Sequence, residues 1–173
     1  DAALCGMTLP FIDGAPEFNF PTGIHSMSIS GHKLIGSPLP CGVVLALKAH
    51  VDLIARSIEY VGTLDTTITG SRNAITPLML WHAIRSQRVK GFRAIVVECL
   101  ACAEYAVEQL NAIGVAAWRN PYAITVVLPK PSAVVLDKWQ LAVEEDIAHI
   151  MVMPHVDRAR IDRIVADIAA NPA

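Results

Sequence analysis

The segment Ser30-Gly31-His32-Lys33 constrains this chain more than any other, because it places a lysine between a short strand and a turn. The preceding residues 27–29 favour a strand, and the glycine- and proline-rich residues 36–42 favour a turn. A lysine held by the backbone in this way can be desolvated and can act as a neutral amine nucleophile toward a carbonyl. The alternative is a solvated lysine in an ordinary turn.

Asp1 provides a second candidate for chemistry. Enzymes that use pyridoxal 5'-phosphate (PLP) pair a reactive lysine with an aspartate, which keeps the pyridine nitrogen of the cofactor protonated. Lys33 and Asp1 are the candidates for this pair. Taken alone, each residue has a simpler interpretation, since a Gly-His-Lys tripeptide is common and Asp1 could be a flexible terminal carboxylate.

Several motifs occur together in the order found in one enzyme family. The chain resembles the group II PLP-dependent amino-acid decarboxylases in three segments, Asp1-Ala2-Ala3, Ser28-Ile29-Ser30-Gly31-His32-Lys33 and Pro38-Leu39-Pro40-Cys41-Gly42. Within that group it is most similar to bacterial histidine decarboxylases and the related plant serine decarboxylases. Further matches extend the resemblance over essentially the whole chain: Glu59-Tyr60, residues 66–73, Lys90-Gly91-Phe92, residues 139–142 and residues 146–154.

This resemblance implies an α/β chain with the type I fold of PLP-dependent transferases. Residues 1–105 would form the C-terminal part of the large, PLP-binding domain, and residues 106–173 a small C-terminal α+β domain. The start at Asp1 resembles a strand–loop passage inside a longer enzyme. We therefore expect this sequence to be the C-terminal part of a decarboxylase whose upstream part is missing.

The resemblance also implies roles for individual residues. Lys33 would form the Schiff base with PLP, Asp1 would pair with the ring nitrogen, and Ala3 would lie against one face of the ring. Ser30 and His32 would donate to the phosphate; the alternative for His32 is a core histidine bonded to backbone. In related glutamate decarboxylases a serine matching Ser71 reaches the phosphate of the neighbouring subunit, which implies a homodimer with composite sites.

Ser71 could equally cap the helix that follows it, and the two roles are compatible. Tyr60 begins a segment that resembles the loop closing over the substrate, so it is a second catalytic candidate; the alternative is a half-buried aromatic side chain at the end of a helix.

The preferred substrate is L-histidine, giving histamine and carbon dioxide, with serine or a branched aliphatic amino acid as the alternative. One departure affects this choice. The related histidine and serine decarboxylases usually have Gly-His after Ser-Arg-Asn, whereas Ala74-Ile75 follow Asn73 here. A different hypothesis is that the chain alone is a non-catalytic piece that requires its upstream half.

Composition limits the partners. The chain has 173 residues, a net charge of −2 and 53% hydrophobic residues. The charge gives no reason to expect nucleic acid or an anionic membrane, and no apolar segment has the about 20 residues of a spanning helix. The high apolar content suggests a surface buried against a partner subunit or missing chain.

We predict a reduced, cytoplasmic protein. We also predict that it has no metal site, because Cys99 and Cys102 lack a second ligand pair.

Local patterns predict the following elements. Strands are expected at residues 24–30, 41–47, 115–118, 123–128 and 147–152. Helices are expected at residues 48–58, from Thr76 as N-cap to about 87, at 92–113 with Gly114 after it, at 132–142 and at 157–170. Residues 63–70 are predicted to form a loop.

Overall fold

The computed structural model describes residues 1–60, 62–66 and 72–172. The chain divides into two compact units. The first, unit 1, comprises Asp1–Pro10 and Gly14–Arg88, and the second, unit 2, comprises Phe11–Asp13 and Val89–Ala173. This division, between Arg88 and Val89, lies upstream of the predicted domain boundary after residue 105. The predicted boundary concerns the two domains of a complete enzyme, and it stays a prediction.

Unit 1 is built around two short antiparallel hairpins. Strands β1 (Ser26–Ser30) and β2 (Gly42–Ala46) pair in a register that places Ser30 opposite Gly42. Helix α1 (Lys48–Ile54) follows, and β3 (Arg56–Ile58) pairs with β4 (Thr63–Asp65). The first part of helix α2 (Ile75–Ala112) completes the unit.

Unit 1 has little core of its own. Among its described residues the buried hydrophobic side chains are Ala2, Ile29, Leu34 and Ile35. In contrast, Leu78, Trp81 and Ile84 follow one another at helical spacing along α2 and are 62%, 59% and 48% exposed. An isolated domain of this size would bury such residues, because apolar burial is its main source of stability.

Unit 2 has a continuous hydrophobic core. An antiparallel sheet in the order β5 (Thr125–Pro129), β7 (Ile147–Met151), β6 (Ala142–Glu144) packs with α2, α3 (Ala133–Trp139) and α4 (Arg158–Ala170). Three consecutive residues of β5 are buried, whereas burial alternates along β7. The fully buried side chains of this core include Leu110, Val126, Leu128, Val135, Val152 and Ile161.

Several predicted elements are confirmed, including the strands β1, β2, β5 and β7 and the helix α4, which begins after Asp157 as predicted. Gly114 follows α2 with a φ of 83°, as expected of a residue that ends a helix. The N-cap of α2 was predicted wrongly. Asn73 accepts from the Thr76 N–H at 2.8 Å, so the capping side chain is Asn73 and Thr76 lies inside the helix.

Three short strands were missed or misassigned. The predicted helix at 48–58 ends at Ile54, and Arg56–Ile58 forms β3. Thr63–Asp65 forms β4 within the predicted loop, and Ala142–Glu144 forms β6 where the end of a helix was expected. The predicted strand at 115–118 is reduced to one bridge between Trp118 and Val127.

Helix α2 is interrupted at Arg88, where φ is 52° and ψ is −174°. This conformation is close to a region that is essentially restricted to glycine. The interruption coincides with the sequence position at which unit 1 ends and unit 2 begins. No helix in residues 1–60, 62–66 and 72–172 is long and apolar enough to cross a membrane.

Candidate functional site

Lys33 lies in a turn that leaves the end of β1. The Lys33 N–H donates to the Ser30 carbonyl at 3.4 Å, and the Lys33 carbonyl accepts from the Gly36 N–H at 2.9 Å. Gly36 has a φ of 84°, which glycine adopts at little cost. Leu34 and Ile35 are buried and anchor the turn, so the backbone of the half-buried Lys33 is held on both sides.

Cys41, the residue before β2, holds the same turn from the other side. Its carbonyl accepts from the Gly31 N–H at 2.9 Å, and its N–H donates to Nδ1 of His32 at 3.1 Å. Gly31 is buried, and a Cβ atom at this position would lie 2.5 Å from the Cys41 Sγ. Ser30, immediately before this contact, is half-buried, and His32 is exposed.

The first residues of the chain run beside the end of β1. The Ala2 N–H donates to the Ser28 carbonyl at 2.9 Å, and the Ser30 N–H donates to the Ala3 carbonyl at 3.1 Å. Both partners advance in the same direction, so the two segments are parallel. The Asp1 Oδ1 accepts from the Ala3 N–H at 2.7 Å, which orients this exposed carboxylate.

The structure therefore brings five predicted site residues to one end of β1. Asp1 and Ala3 lie on the neighbouring segment, and Ser30, His32 and Lys33 lie on β1 and its turn. Donors and a carboxylate at one place suit a group that combines a phosphate with a basic ring. Their roles stay predictions.

The two remaining site predictions have different outcomes. Tyr60 is 99% exposed and lies in the connection between β3 and β4, so neither a half-buried position nor a helix end describes it. Its proposed catalytic role stays a prediction. Ser71 lies outside the described residues.

Cys99 and Cys102 are two buried thiols in the second half of α2. Burial raises the pKa of the Cys99 thiol to about 11, and it also raises the pKa of Cys102. Both side chains are buried, and the Cys102 Sγ donates to the Val156 carbonyl at 3.3 Å. In the absence of a metal such thiols stay protonated at neutral pH and are poor nucleophiles. Within the described part of the chain no three potential ligands are grouped to hold a metal ion.

Sequence reasoning did not assign a role to Cys41. The sequence shows it as part of a turn motif, but nothing local indicates that its peptide groups contact Gly31 and His32. The glycine at position 31 was the available signal, since a glycine beside a functional residue often marks a close backbone approach.

Comparisons with curated proteins give relatives along nearly the whole chain. No family model matches it. It is 48% identical over 172 residues to the histidine decarboxylase of Morganella morganii, covering 99% of this chain and 46% of that protein. It is 45% identical over 169 residues to the histidine decarboxylase of Mesorhizobium japonicum, covering 98% and 46%. The chain thus spans less than half the length of these relatives.

Solved structures share the fold. The L-methionine decarboxylase from Streptomyces sp. 590 superposes with a TM-score of 0.86 at 30% identity, covering 99% of this chain and 41% of that one. The glutamate decarboxylase of Lactobacillus brevis superposes with a TM-score of 0.81 at 18% identity, covering 98% and 45%. The second likeness concerns the fold alone.

Proposed function

Because this chain has the type I fold and belongs to the group II PLP-dependent amino-acid decarboxylases, we propose that its full-length protein is a PLP-dependent carboxy-lyase. The preferred reaction converts L-histidine to histamine and carbon dioxide. The observation that carries the proposal is the parallel run of Asp1–Ala3 beside the end of β1, which brings the segment with the carboxylate next to the segment that leads into Lys33.

The residues at this end of β1 fit PLP. Lys33 would hold the cofactor covalently through its amine, and Asp1 would hold the ring nitrogen as an ion pair. The Ala3 N–H occupies one oxygen of the Asp1 carboxylate, and a carboxylate has a second oxygen for the ring. Ser30 and His32 would donate to the phosphate, and charge-assisted bonds of this kind are strong.

When bound, PLP supplies an electron sink for the pair released as the bond between Cα and the carboxylate breaks. Asp1 would contribute a negative charge that keeps the ring nitrogen protonated. Ala3 would contribute a small side chain that leaves room for the ring. Tyr60 and the segment after it would close over the substrate and exclude water.

Histidine is the preferred substrate because the relatives at 45–48% identity are histidine decarboxylases. An aliphatic amino acid is the second candidate, since a structural neighbour at 30% identity acts on L-methionine. Serine and branched aliphatic amino acids are the other candidate substrates, because the sequence also resembles that of serine decarboxylases. Parallel assays of carbon dioxide release from histidine, methionine, serine and leucine would separate these candidates. An aminotransferase would instead form a keto acid.

We also propose that the working unit is a homodimer with composite sites. If Ser71 donates to the phosphate of the opposite site, Ser71→Ala should weaken PLP binding about 10- to 150-fold, the loss of one hydrogen bond to a charged group. Lys33→Ala should remove the covalent link.

Mixing the Ser71→Ala and Lys33→Ala proteins tests whether Ser71 acts across the dimer. In a trans arrangement one site of the heterodimer carries both lesions, and the other site carries none and should bind PLP normally. Weak binding at every Lys33-containing site in verified heterodimers would reject the trans assignment but not the decarboxylase proposal.

The 173 residues alone are proposed to be non-catalytic. The sparse core of unit 1 and the exposed side chains along α2 support this, because an upstream part would supply the missing cover. The chain expressed alone should aggregate or bind PLP without defined stoichiometry. A soluble monomer of these residues that decarboxylates histidine would contradict it.

The four free cysteines fit a reducing compartment, so we place the protein in the cytoplasm.

The test of the proposed function uses two samples of the full-length protein with PLP. One sample is reduced with borohydride and analysed by peptide mapping, and the other is left unreduced and assayed for histamine formation. We expect the cofactor on Lys33 and release of carbon dioxide from L-histidine. A protein that binds no PLP, or carries it on another lysine, would contradict the proposal.

A further inference from the structure

We propose that Cys41 is a positioning residue that fixes the imidazole of His32 in one tautomer for contact with phosphate; this proposal rests on the proposed function. The Cys41 N–H donates to Nδ1 of His32 at 3.1 Å, and the Cys41 carbonyl accepts from the Gly31 N–H at 2.9 Å. The peptide groups on both sides of Cys41 thus hold the two residues that precede Lys33.

The hydrogen bonds at Cys41 favour the tautomer with the proton on Nε2. Nδ1 of His32 lies 3.1 Å from the Cys41 nitrogen and 3.0 Å from its carbonyl oxygen, so it either accepts from the former or donates to the latter. The carbonyl already accepts from Gly31. If Nδ1 carried the proton, it could not accept from the Cys41 N–H, which would be left unpaired. An unpaired N–H is less readily tolerated than a carbonyl that already accepts one hydrogen bond.

The position of the proton decides what His32 can bind. With Nδ1 accepting, Nε2 carries the proton and is a donor, as a phosphate oxygen requires. With the proton on Nδ1, Nε2 would present a lone pair to the phosphate. Cys41 therefore contributes to phosphate binding through His32, without contacting the phosphate.

The Cys41 sulfur occupies the space that a side chain at position 31 would need. A Cβ atom at position 31 would lie 2.5 Å from the Cys41 Sγ and 2.8 Å from the Leu80 Cδ2. The absence of a side chain at Gly31 lets the turn approach Cys41 closely. We expect a larger residue at position 31 to push the turn away from Cys41 and to lengthen the hydrogen bond between the Cys41 N–H and His32.

The first experiment compares His32→Gln with His32→Asn in the full-length protein by PLP titration. A glutamine amide can place a donor near the position of Nε2, whereas an asparagine amide reaches only that of Nδ1. We expect His32→Gln to stay within about threefold of the wild-type Kd and His32→Asn to weaken it about 10- to 150-fold. Equal losses in both variants would overturn the proposal.

The second experiment tests the packing. Gly31→Ala should weaken PLP binding, and adding Cys41→Ala should restore part of it, because the second change removes the sulfur that the new methyl group meets. Cys5→Ala, at another half-buried free cysteine, is the matched control and should restore nothing. Unchanged binding in Gly31→Ala, or a loss that Cys41→Ala leaves unaltered, would overturn the proposal.

A ¹⁵N spectrum of histidine-labelled full-length protein without PLP decides the tautomer even where a Gly31 variant does not fold. The signal that disappears in His32→Gln should have the pattern of the tautomer protonated on Nε2. The pattern of the other tautomer would overturn the proposal. A wild-type protein that binds no PLP would defeat the proposed function, and this spectrum would still test the role of Cys41.

Discussion

Replacing Ser132 with alanine should stabilise unit 2, whereas replacing Asp157 with alanine should destabilise it. Both residues precede a helix and are typical N-cap residues. The Asp157 carboxylate accepts from the Arg160 N–H at 2.8 Å, as a cap does. The Ser132 side chain makes no capping bond, and among the described residues its buried hydroxyl oxygen has no hydrogen-bond partner.

The expected magnitudes follow from these two environments. A buried polar group without a partner costs about 1–3 kcal/mol. Removing the Ser132 hydroxyl should recover part of this cost, since the small cavity left behind offsets some of the gain. We expect Ser132→Ala to stabilise α3 by about 1 kcal/mol and Asp157→Ala to destabilise α4 by about 0.5–2 kcal/mol, the usual cost of losing a cap.

Hydrogen exchange measured by mass spectrometry on the full-length protein separates the two effects. Peptides covering α3 should exchange about fivefold more slowly in Ser132→Ala, because about 1 kcal/mol corresponds to that change in the opening equilibrium. Peptides covering α4 should exchange faster in Asp157→Ala. Faster exchange of α3 in Ser132→Ala, by an amount similar to that of α4 in Asp157→Ala, would refute the reasoning.

Three further predictions concern stability. Arg88→Gly should raise the unfolding temperature, since the near-glycine-only conformation of Arg88 costs about 1–3 kcal/mol and glycine would relieve most of it; a lower temperature would contradict this. Leu110→Ala should lower the free energy of unfolding of unit 2 by about 2–5 kcal/mol in urea titrations, because Leu110 is fully buried; a loss below 1 kcal/mol would contradict this. Hydrogen bonds from Lys138 and Trp139 lower the pKa of Asp167 in the folded protein. The stability that the Asp167 carboxylate contributes is therefore fully present above the pKa of an unfolded aspartate, which is about 3.9. It is lost as the pH falls through the lower pKa of the folded protein. Acid titration of Asp167→Asn should lack this component, and an unchanged profile would contradict its assignment.

Local patterns predicted the longer elements and missed the short ones. The spacing of apolar residues in α4 and the apolar, β-branched runs in β5 and β7 are clear signals, and all three elements formed as expected. Strands β4 and β6 have three residues each. Segments of that length carry too little pattern, and pairing with a neighbour determines them.

The candidate site depended on long-range contacts that no local pattern contains. The proximity of the Asp1 segment to β1 rests on hydrogen bonds between residues distant in sequence, and the sequence indicated it only through the resemblance. The contact of Cys41 with His32 is of the same kind. In α1, apolar residues at helical spacing continued past Ile54, but the chain instead paired Arg56–Ile58 with β4.

The most direct test of this account is the identity of the lysine that holds PLP in an active protein. Full-length protein should show the visible absorbance of lysine-bound PLP and form histamine from L-histidine. Lys33→Ala should lose both the absorbance and the activity while its circular dichroism spectrum stays unchanged. Wild-type absorbance or activity in a folded Lys33→Ala protein would contradict the central claim.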